Sequence, residues 1–413
     1  MQQLGFSQNN GSDCLENAPP YEGMIRVKLL VSIFPHPLPR KISDPMPRCL
    51  TLLLLTMVSV TAISDVAAQH LRSPEVNDDG SVTFRTTTSK DAQSVKVSIN
   101  RTENGSVELT KTEQGYWEGT STPLPAGIYE YDFRVDGNTQ LDRRNRWFKK
   151  WYSINNLVEV PGSPALVTER QSVPHGTLHE HYYDSPVTES QRPVLVYTPP
   201  SYNKDPNQKF PVLFLLHGFG DDHQAWTEVG RANLIADNLI AAKTIQEMVI
   251  VMPYGHPVAL PFGNRDKDYG SNNDTAMIKD VQTVLLPWVT EHYRVIDRPE
   301  SRAITGLSMG GGHSTRIALA TNAFAYVGAF SAAMPQQESL DDLATDLDAF
   351  KKRNQLFWIA CGDKDFLLER NHRFEKLLSE ADVEHQYLET KGSHNWDVWR
   401  DEYLPQFLPK LFQ

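Results

Sequence analysis

The sequence predicts an α/β fold over residues 165–413, preceded by a small all-β module over residues 72–161. Three observations support this division. Short apolar segments alternate with helix-length segments in the C-terminal part, which is typical of a parallel sheet covered by helices. The preceding module instead shows short alternating segments separated by glycine-containing turns. A Pro/Gly/Ser stretch at residues 161–164 marks the linker between the two parts.

The all-β module is predicted from five segments in which apolar and polar residues alternate. They span residues 81–86, 94–99, 107–112, 116–120 and 127–135. Turn-forming dipeptides between them, such as Asp79-Gly80 and Asp136-Gly137, favour tight hairpin connections. This spacing predicts a small immunoglobulin-like sandwich.

The α/β part contains five short apolar runs that indicate buried parallel strands. They span residues 212–216, 248–252, 302–305, 326–330 and 356–360. Between them, three segments carry apolar residues at helical spacing and fit crossover helices. These segments span residues 232–242, 275–292 and 371–381. Residues 179–183 and 194–198 predict a hairpin at the edge of the sheet.

Ser308 lies in the motif Gly306-Leu307-Ser308-Met309-Gly310, between a predicted strand and a helix-compatible run at residues 314–321. G-x-S-x-G at a strand-to-helix turn is the layout of a nucleophile elbow, in which flanking glycines permit a strained turn that exposes the serine hydroxyl. The same turn directs the Met309 backbone N–H toward the position of a tetrahedral oxyanion. The motif therefore predicts an α/β-hydrolase with Ser308 as its nucleophile.

A serine nucleophile also needs a base, a carboxylate that orients the base, and a second oxyanion donor. His394 follows the last predicted strand in a Gly/Ser loop and has the last place in the chain order Ser, Asp, His. Asp365 follows another predicted strand and is our choice for the acid, with Asp363 as the alternative. A glycine-rich loop follows the strand at residues 212–216, and we assign the second oxyanion N–H to Phe219 in that loop.

Aromatic residues in the predicted loops are candidates for lining a substrate pocket. The four candidates are Trp226, Tyr254, Trp396 and Trp399. Their rings would contact an acyl group or a sugar. Ordinary core packing is the alternative for each of them.

Composition and residue spacing exclude several classes of function. The chain is 40% hydrophobic and 22% charged, as expected of a folded protein. Its net charge of −11, without a cluster of basic residues, argues against a nucleic-acid partner. His179 and His181 share one face of a predicted strand without a third ligand, so we expect no metal and no cofactor.

Residues 46–68 have the pattern of a signal peptide, with a basic residue, a leucine-rich core shorter than a membrane span, and small residues before Gln69. Residues 1–45 do not fit such a leader, and we interpret them as a non-native or disordered extension. We expect a secreted or periplasmic product without a membrane anchor. Cleavage would leave Cys361 as the one cysteine, so no internal disulfide is expected.

Four of these segments together resemble a known family. They span residues 215–222, 302–312, 329–333 and 361–365. They are similar to the feruloyl-esterase and acetylxylan-esterase group of the esterase D-like α/β-hydrolases, a group like carbohydrate esterase family 1, and the resemblance covers about residues 165–413. It implies that Ser308, Asp365 and His394 match the nucleophile, acid and base of that family. Residues 73–161 resemble the early-set, isoamylase-N-terminal-like β-sandwich that precedes such esterases.

These observations predict an exported serine esterase that removes feruloyl or acetyl groups from plant cell-wall polysaccharide such as xylan, through an acyl-enzyme. A siderophore esterase of the enterochelin type, or another small-molecule esterase, would share the fold and the triad. An alternative from a different functional class is a non-catalytic carbohydrate-binding protein. Glycan binding by the sandwich is a further hypothesis, and the sequence leaves the oligomeric state open.

Overall fold

The computed structural model describes residues 72–102, 105–150, 154–260, 267–337 and 339–413. The described residues belong to one compact unit. The predicted signal peptide and extension, at residues 46–68 and 1–45, lie outside the described residues and stay predictions. Within the described ranges, no helix is both long enough and apolar enough to cross a bilayer.

The N-terminal part of this unit is an antiparallel β-sandwich of eight strands. They are β1 (Glu75–Val76), β2 (Val82–Thr86), β3 (Val95–Ile99), β4 (Ser106–Lys111), β5 (Trp117–Thr120), β6 (Gly127–Val135), β7 (Asn138–Gln140) and β8 (Asn156–Val160). The strand order is β1-β2-β5-β4-β3-β6-β7, and β8 also pairs with β6. Alternate residues of β3 and most residues of β6 are buried, so the apolar sides of the strands enclose a single core that includes Phe84, Val97 and Phe133.

The C-terminal part is built on an eight-stranded central sheet. Its strands are β9 (Thr177–Ser185), β10 (Ser190–Thr198), β11 (Val212–Leu216), β12 (Val249–Pro253), β13 (Arg302–Gly306), β14 (Tyr326–Phe330), β15 (Leu356–Gly362) and β16 (Gln386–Thr390). The order is β16-β15-β14-β13-β11-β12-β10-β9. The six strands from β16 to β12 are parallel, and the β9–β10 hairpin is antiparallel at one edge. The parallel strands therefore end at one common edge.

Helices cover both faces of the central sheet. They are α1 (Ala225–Glu228), α2 (Ala232–Ala241), α3 (Tyr269–Asp280), α4 (Leu286–His292), α5 (Met309–Ala320), α6 (Leu347–Arg353), α7 (Leu368–Glu380) and α8 (Leu404–Phe407). π-Helical turns at Val281–Leu285 and Asp397–Tyr403 precede α4 and α8, and 3₁₀ turns lie at Pro299–Ser301 and Leu408–Lys410. One core cluster packs α3, α4, α5 and α7 on one face, and the other packs α1, α2 and α8 on the opposite face.

The predicted fold class is confirmed, and the five sandwich segments and five parallel strands lie within two residues of their predicted bounds. The largest difference is α3, which begins at Tyr269 where the pattern predicted a helix from residue 275. The first turns of α3 bury Tyr269 and Asn273 on the same side as Met277. Because Asn273 is polar, it interrupts the apolar side of the helix between Tyr269 and Met277, and the apolar pattern begins only after it.

The sandwich packs directly against the C-terminal part. Ile128 and Leu157 of the sandwich belong to the same core cluster as α1, α2 and α8. The indole N–H of Trp147 donates a hydrogen bond to the carbonyl oxygen of Glu228 over 2.9 Å. The guanidinium of Arg231 lies 4.1 Å from the centre of the Trp147 ring. These contacts join the two parts through shared apolar packing as well as polar contacts.

Candidate active site

Ser308 occupies a strained turn between β13 and α5. Its backbone φ of 53° and ψ of −115° lie outside the regions that L-residues ordinarily adopt. A Cβ atom on Gly306 would lie 2.6 Å from the carbonyl oxygen of Leu216, and one on Gly310 would lie 2.5 Å from that same oxygen. Both glycines are therefore required by close backbone approach, as the nucleophile-elbow motif predicted.

His394 joins Ser308 to Asp365. Its Nε2 atom lies 2.9 Å from the Ser308 Oγ atom, and its Nδ1 atom lies 3.0 and 2.9 Å from the two oxygens of Asp365. The three residues follow β13, β15 and β16, which end at the same edge of the sheet. The structure thus brings together the three side chains that the sequence selected, in the order hydroxyl, imidazole, carboxylate.

Asp365, and not Asp363, contacts the imidazole. The Asp365 side chain is fully buried. Burial by itself raises its pKa, but the hydrogen bond and charge of His394, with the backbone N–H of Leu367, outweigh burial and hold the pKa below its usual range. Asp363 instead pairs with Lys391 over 2.8 Å and accepts a hydrogen bond from the backbone N–H of Gly392 over 3.1 Å. Asp363 therefore supports the loop that carries His394.

Two buried histidines fix the loop after β11 by hydrogen bonds to the backbone. The His217 Nδ1 atom lies 2.8 Å from the Gly218 carbonyl oxygen, and its Nε2 atom accepts a hydrogen bond from the backbone N–H of Gly255. The Nε2 atom of His256 accepts the backbone N–H of Gly220 over 3.0 Å. Burial lowers the pKa of His217 to about 4 and that of His256 to about 2, so both rings are neutral.

The candidate oxyanion donors belong to residues of the same cavity as the triad. Phe219 and Met309 line it together with Ser308 and His394. The Phe219 ring packs edge-on against His256, with ring centres 5.5 Å apart. Fixing this ring also fixes the backbone that precedes Gly220. The oxyanion role of both N–H groups stays a prediction.

The triad opens into a cavity of about 1110 Å³. Trp396 and Trp399, two of the four predicted aromatic residues, line it. The Trp399 ring stands edge-on to His394, with centres 4.9 Å apart. Both tryptophans lie at the start of the π-helical turn Asp397–Tyr403, not in the loop that was expected. They shape the wall of the cavity beside the base.

The other two predicted aromatic residues lie away from this cavity. Trp226 is 1% exposed, donates its indole N–H to the Leu216 carbonyl oxygen over 2.9 Å, and packs edge-on against Trp396. It supports the cavity wall from behind, because its ring packs against Trp396, which lines the cavity. Tyr254 lines a separate cavity of about 220 Å³. Neither Trp226 nor Tyr254 lines the cavity that contains Ser308, where both were expected to lie.

The sandwich contributes polar side chains to the cavity that contains Ser308, which the sequence analysis did not predict. Glu130 and Lys149 line it, with the Lys149 Nζ atom 2.6 Å from a Glu130 carboxylate oxygen. The side-chain amide of Asn155 donates a hydrogen bond to the same carboxylate oxygen. Neither residue stands in a motif, because their position depends on how the sandwich packs against the sheet. The cavity is therefore built from both parts of the unit.

A buried polar network under α5 was also not predicted as part of the site. Asp274 lies 3.1 Å from His313 Nε2 and 2.9 Å from Arg316 Nε. Burial raises the pKa of Asp274, but the hydrogen bond from His313 and the charge of Arg316 outweigh it and lower the pKa overall. Asp274 and Arg316 line the cavity. One feature of the sequence could have indicated this. Arg316 lies eight residues after Ser308, on the helix that the nucleophile-elbow motif places directly after the serine.

Comparison with known proteins agrees with this geometry. Residues 185–410, more than half of the chain, match the family model described as "Putative esterase". An endo-1,4-β-xylanase/feruloyl esterase of Xylanibacter ruminicola is 28% identical over 347 residues, which is 82% of this chain and 46% of that relative. The chain thus spans about half the length of this curated relative.

Two solved structures show the same architecture. A CE1 ferulic acid esterase from the anaerobic fungus Anaeromyces mucronatus, also solved in complex with ferulic acid, is 27% identical with a TM-score of 0.51, covering 59% of this chain and 93% of that one. An enterobactin esterase of Shigella flexneri is 17% identical with a TM-score of 0.57, covering 85% and 98%, and shows the fold alone. The chain belongs to the esterase family whose model its residues 185–410 match, and it has the α/β-hydrolase fold.

Proposed function

We propose that this protein is an exported serine esterase that removes feruloyl or acetyl groups from plant cell-wall polysaccharide such as xylan. The observation that carries the catalytic part is the hydrogen-bonded chain from Ser308 through His394 to Asp365, opening into a large cavity. Export rests on the signal-peptide pattern at residues 46–68.

The geometry supports a two-step acyl transfer. His394 Nε2 accepts the proton of the Ser308 hydroxyl while the oxygen attacks the ester carbonyl carbon, and the backbone N–H groups of Phe219 and Met309 stabilise the oxyanion. The imidazolium then donates its proton to the departing alcohol, which leaves an acyl-Ser308. Water, deprotonated by His394, attacks this acyl group, and collapse of the second intermediate releases the acid and restores the hydroxyl.

Asp365 keeps the imidazole in the productive tautomer throughout. Its two oxygens accept the Nδ1–H, which leaves Nε2 as the acceptor that faces Ser308. As a buried carboxylate with a lowered pKa, it stays ionised and stabilises the imidazolium that forms in each step.

The cavity supports a substrate larger than a simple acetate ester. Its volume of about 1110 Å³ exceeds what a single aromatic acyl group fills, and its wall includes both apolar rings, Trp396 and Trp399, and polar side chains of the sandwich. Glu130 and Lys149 would face the carbohydrate, since ion-paired side chains provide donors and acceptors for hydroxyl groups. The feruloyl esterase relatives support the same choice of acyl group.

An ester-substrate panel tests the proposal. The purified protein is assayed with methyl ferulate, feruloylated and acetylated xylo-oligosaccharides, and a catecholate triester of the siderophore type. We expect turnover of the carbohydrate esters with a higher kcat/KM than that of the triester. The Ser308→Ala variant serves as the blank and should lower every rate by about 10³ or more. Preferred hydrolysis of the triester would overturn the substrate assignment, and equal rates for both proteins would overturn the nucleophile.

Glycan binding by the sandwich is tested with the whole chain. Affinity electrophoresis of Ser308→Ala on xylan is compared with that of Ser308→Ala carrying Lys149→Ala. Weaker retention of the second protein is the expected result. Equal retention, or none for either protein, would remove Lys149 and the sandwich from the binding surface.

A further inference from the structure

The catalytic cavity is basic although the chain as a whole is acidic. Among the described residues, its lining includes five basic side chains and three carboxylates, whereas the whole chain has a net charge of −11. The basic side chains are Lys149, Lys267, Arg316, Lys364 and Arg370. Two of the carboxylates are already paired, Glu130 with Lys149 and Asp274 with Arg316. The third, Asp221, has its pKa raised to about 7 by burial and the charge of Asp222.

Arg370 is the half-buried member of this group without an acidic partner. It forms no ion pair with any residue that the structure describes, and its Nε–H donates to the carbonyl oxygen of Met334. The two remaining nitrogens of the guanidinium have no hydrogen-bond partner in the described ranges. Neither nitrogen is among the buried atoms without a partner, so both are reachable from the cavity and free to bind a ligand.

No neighbouring group of the described structure neutralises the positive charge of Arg370. Asp274 is engaged on both oxygens by His313 and Arg316. Burial and the charges of Arg316 and Arg373 lower the pKa of Arg370, with only partial relief from Asp274. Arg370 also lies in the first turn of α7 (Leu368–Glu380), where the helix dipole disfavours a cation. An anion placed there would gain from the guanidinium and from the helix end together.

We propose that Arg370, backed by Arg316, forms an anion subsite of the catalytic cavity that recognises a carboxylate carried by the ester substrate. The proposal rests on the proposed esterase function and adds a substrate class to it. The carboxylate has two chemical sources, a dicarboxylic acyl group or an acidic sugar beside the esterified one. The planar fork of the guanidinium fits a carboxylate by two parallel hydrogen bonds, and the cavity is large enough to hold a second group beside the scissile ester.

Two matched pairs of substrates separate the sources. The acyl pair is a nitrophenyl monosuccinate and a nitrophenyl butyrate. The sugar pair is an acetylated xylo-oligosaccharide with and without a glucuronic acid branch. We expect the wild-type protein to favour the carboxylate-bearing member of one pair by about tenfold or more in kcat/KM, which is the range of a charge-assisted hydrogen bond. The pair that shows the preference identifies the source.

Three variants assign the preference to Arg370. Arg370→Gln should abolish the preference, so that the kcat/KM ratio within the pair falls to about one. Arg370→Lys should keep part of the preference, because lysine retains the charge and loses the planar guanidinium. The matched control is Arg373→Gln, which removes the same charge one turn along the same helix, from an exposed residue that does not line the cavity. It should keep the full preference. The thermal unfolding temperature of each variant checks that the hydrogen bond from Arg370 to the Met334 carbonyl oxygen is not required for folding.

The outcomes distinguish the subsite from the esterase function. Wild-type protein that hydrolyses no neutral ester would overturn the proposed function. Hydrolysis of both pairs without preference would overturn the subsite alone, as would a preference that Arg370→Gln leaves intact. If Arg370→Gln does not fold, Arg370→Lys and the salt dependence decide. The subsite would be overturned if Arg370→Lys keeps the full kcat/KM preference and if high salt does not decrease that preference in the wild type.

Discussion

His256 accepts a hydrogen bond from the backbone N–H of Gly220 over 3.0 Å, although 36 residues separate them. This bond fixes the loop that carries Phe219 by tying it to the segment after β12. The hydrogen-bond partners of His256 are Gly220 and Tyr269, not Ser308 or His394, so we expect His256 to act as a positioning residue for the predicted oxyanion donor. Its ring is held in turn by Tyr269, whose hydroxyl oxygen lies 2.6 Å from Nδ1.

We predict that His256→Ala lowers kcat by about 10- to 100-fold with a smaller change in KM, because a misplaced donor affects the transition state more than the bound substrate. Steady-state kinetics on methyl ferulate measures the split. His256→Gln keeps an acceptor at this position and should recover part of the loss. A kcat of His256→Ala equal to that of the wild type would show that the loop does not depend on this bond.

Asp365→Asn should lower kcat by about 10³- to 10⁴-fold while the protein remains folded, because the amide favours the wrong imidazole tautomer. The control is Asp363→Asn, which keeps an acceptor for the Gly392 N–H and loses only an ion pair with the exposed Lys391. It should stay within about tenfold of the wild type. The reverse ranking of the two variants in kcat would assign the acid to Asp363.

Gly310→Ala should lower the free energy of unfolding by about 3 kcal/mol, because the new Cβ would lie 2.5 Å from two backbone oxygens, those of Leu216 and His217. Gly270 in α3 provides the matched control, since a Cβ there would meet nothing within 4 Å. Gly270→Ala should raise stability by about 0.5–1 kcal/mol. Urea denaturation measures both, and a neutral Gly310→Ala would contradict the close packing of the elbow.

The contribution of Asp221 to the stability of the folded protein should fall as the pH rises toward 7. Burial, then the charge of Asp222, raises the pKa of Asp221 to about 7 in the folded state. In the unfolded chain the carboxyl ionises near pH 4. Between these values the folded state holds a proton that the unfolded state has released, so the stabilisation present at low pH is lost as the pH rises.

Asp221→Asn removes this titration. The stability of the variant relative to wild type should increase from pH 5 to pH 8, as measured by urea denaturation at each pH. A constant difference between the two proteins over that range would mean that Asp221 ionises in the folded state as it does in the unfolded chain.

The strands and the triad were predictable because each depends on local sequence. Parallel strands buried on both faces appear as short apolar runs, and the elbow requires glycines that stand out in any chain. The carboxyl ends of such strands meet at one edge, which is why Ser308, Asp365 and His394 converge as expected. Only the choice between Asp365 and Asp363 needed coordinates, since both follow the same strand within three residues.

The cavity wall was less predictable because it depends on packing between distant segments. Trp226 and Trp396 are both tryptophans near the motifs, yet one supports the wall and the other lines it. Glu130 and Lys149 enter the cavity only because the sandwich docks on the sheet through residues such as Ile128. The glycine-rich start of α5 also concealed a helix that begins at Met309, five residues before the predicted run.

The central claim is that Ser308 is a nucleophile activated by His394. Intact-mass spectrometry after treatment with a fluorophosphonate, followed by peptide mapping, tests it most directly. We predict one adduct, located on the peptide that contains Ser308, with labelling slowed by about 10³-fold in His394→Ala. An adduct on another residue, or labelling of Ser308→Ala at the wild-type rate, would contradict the account.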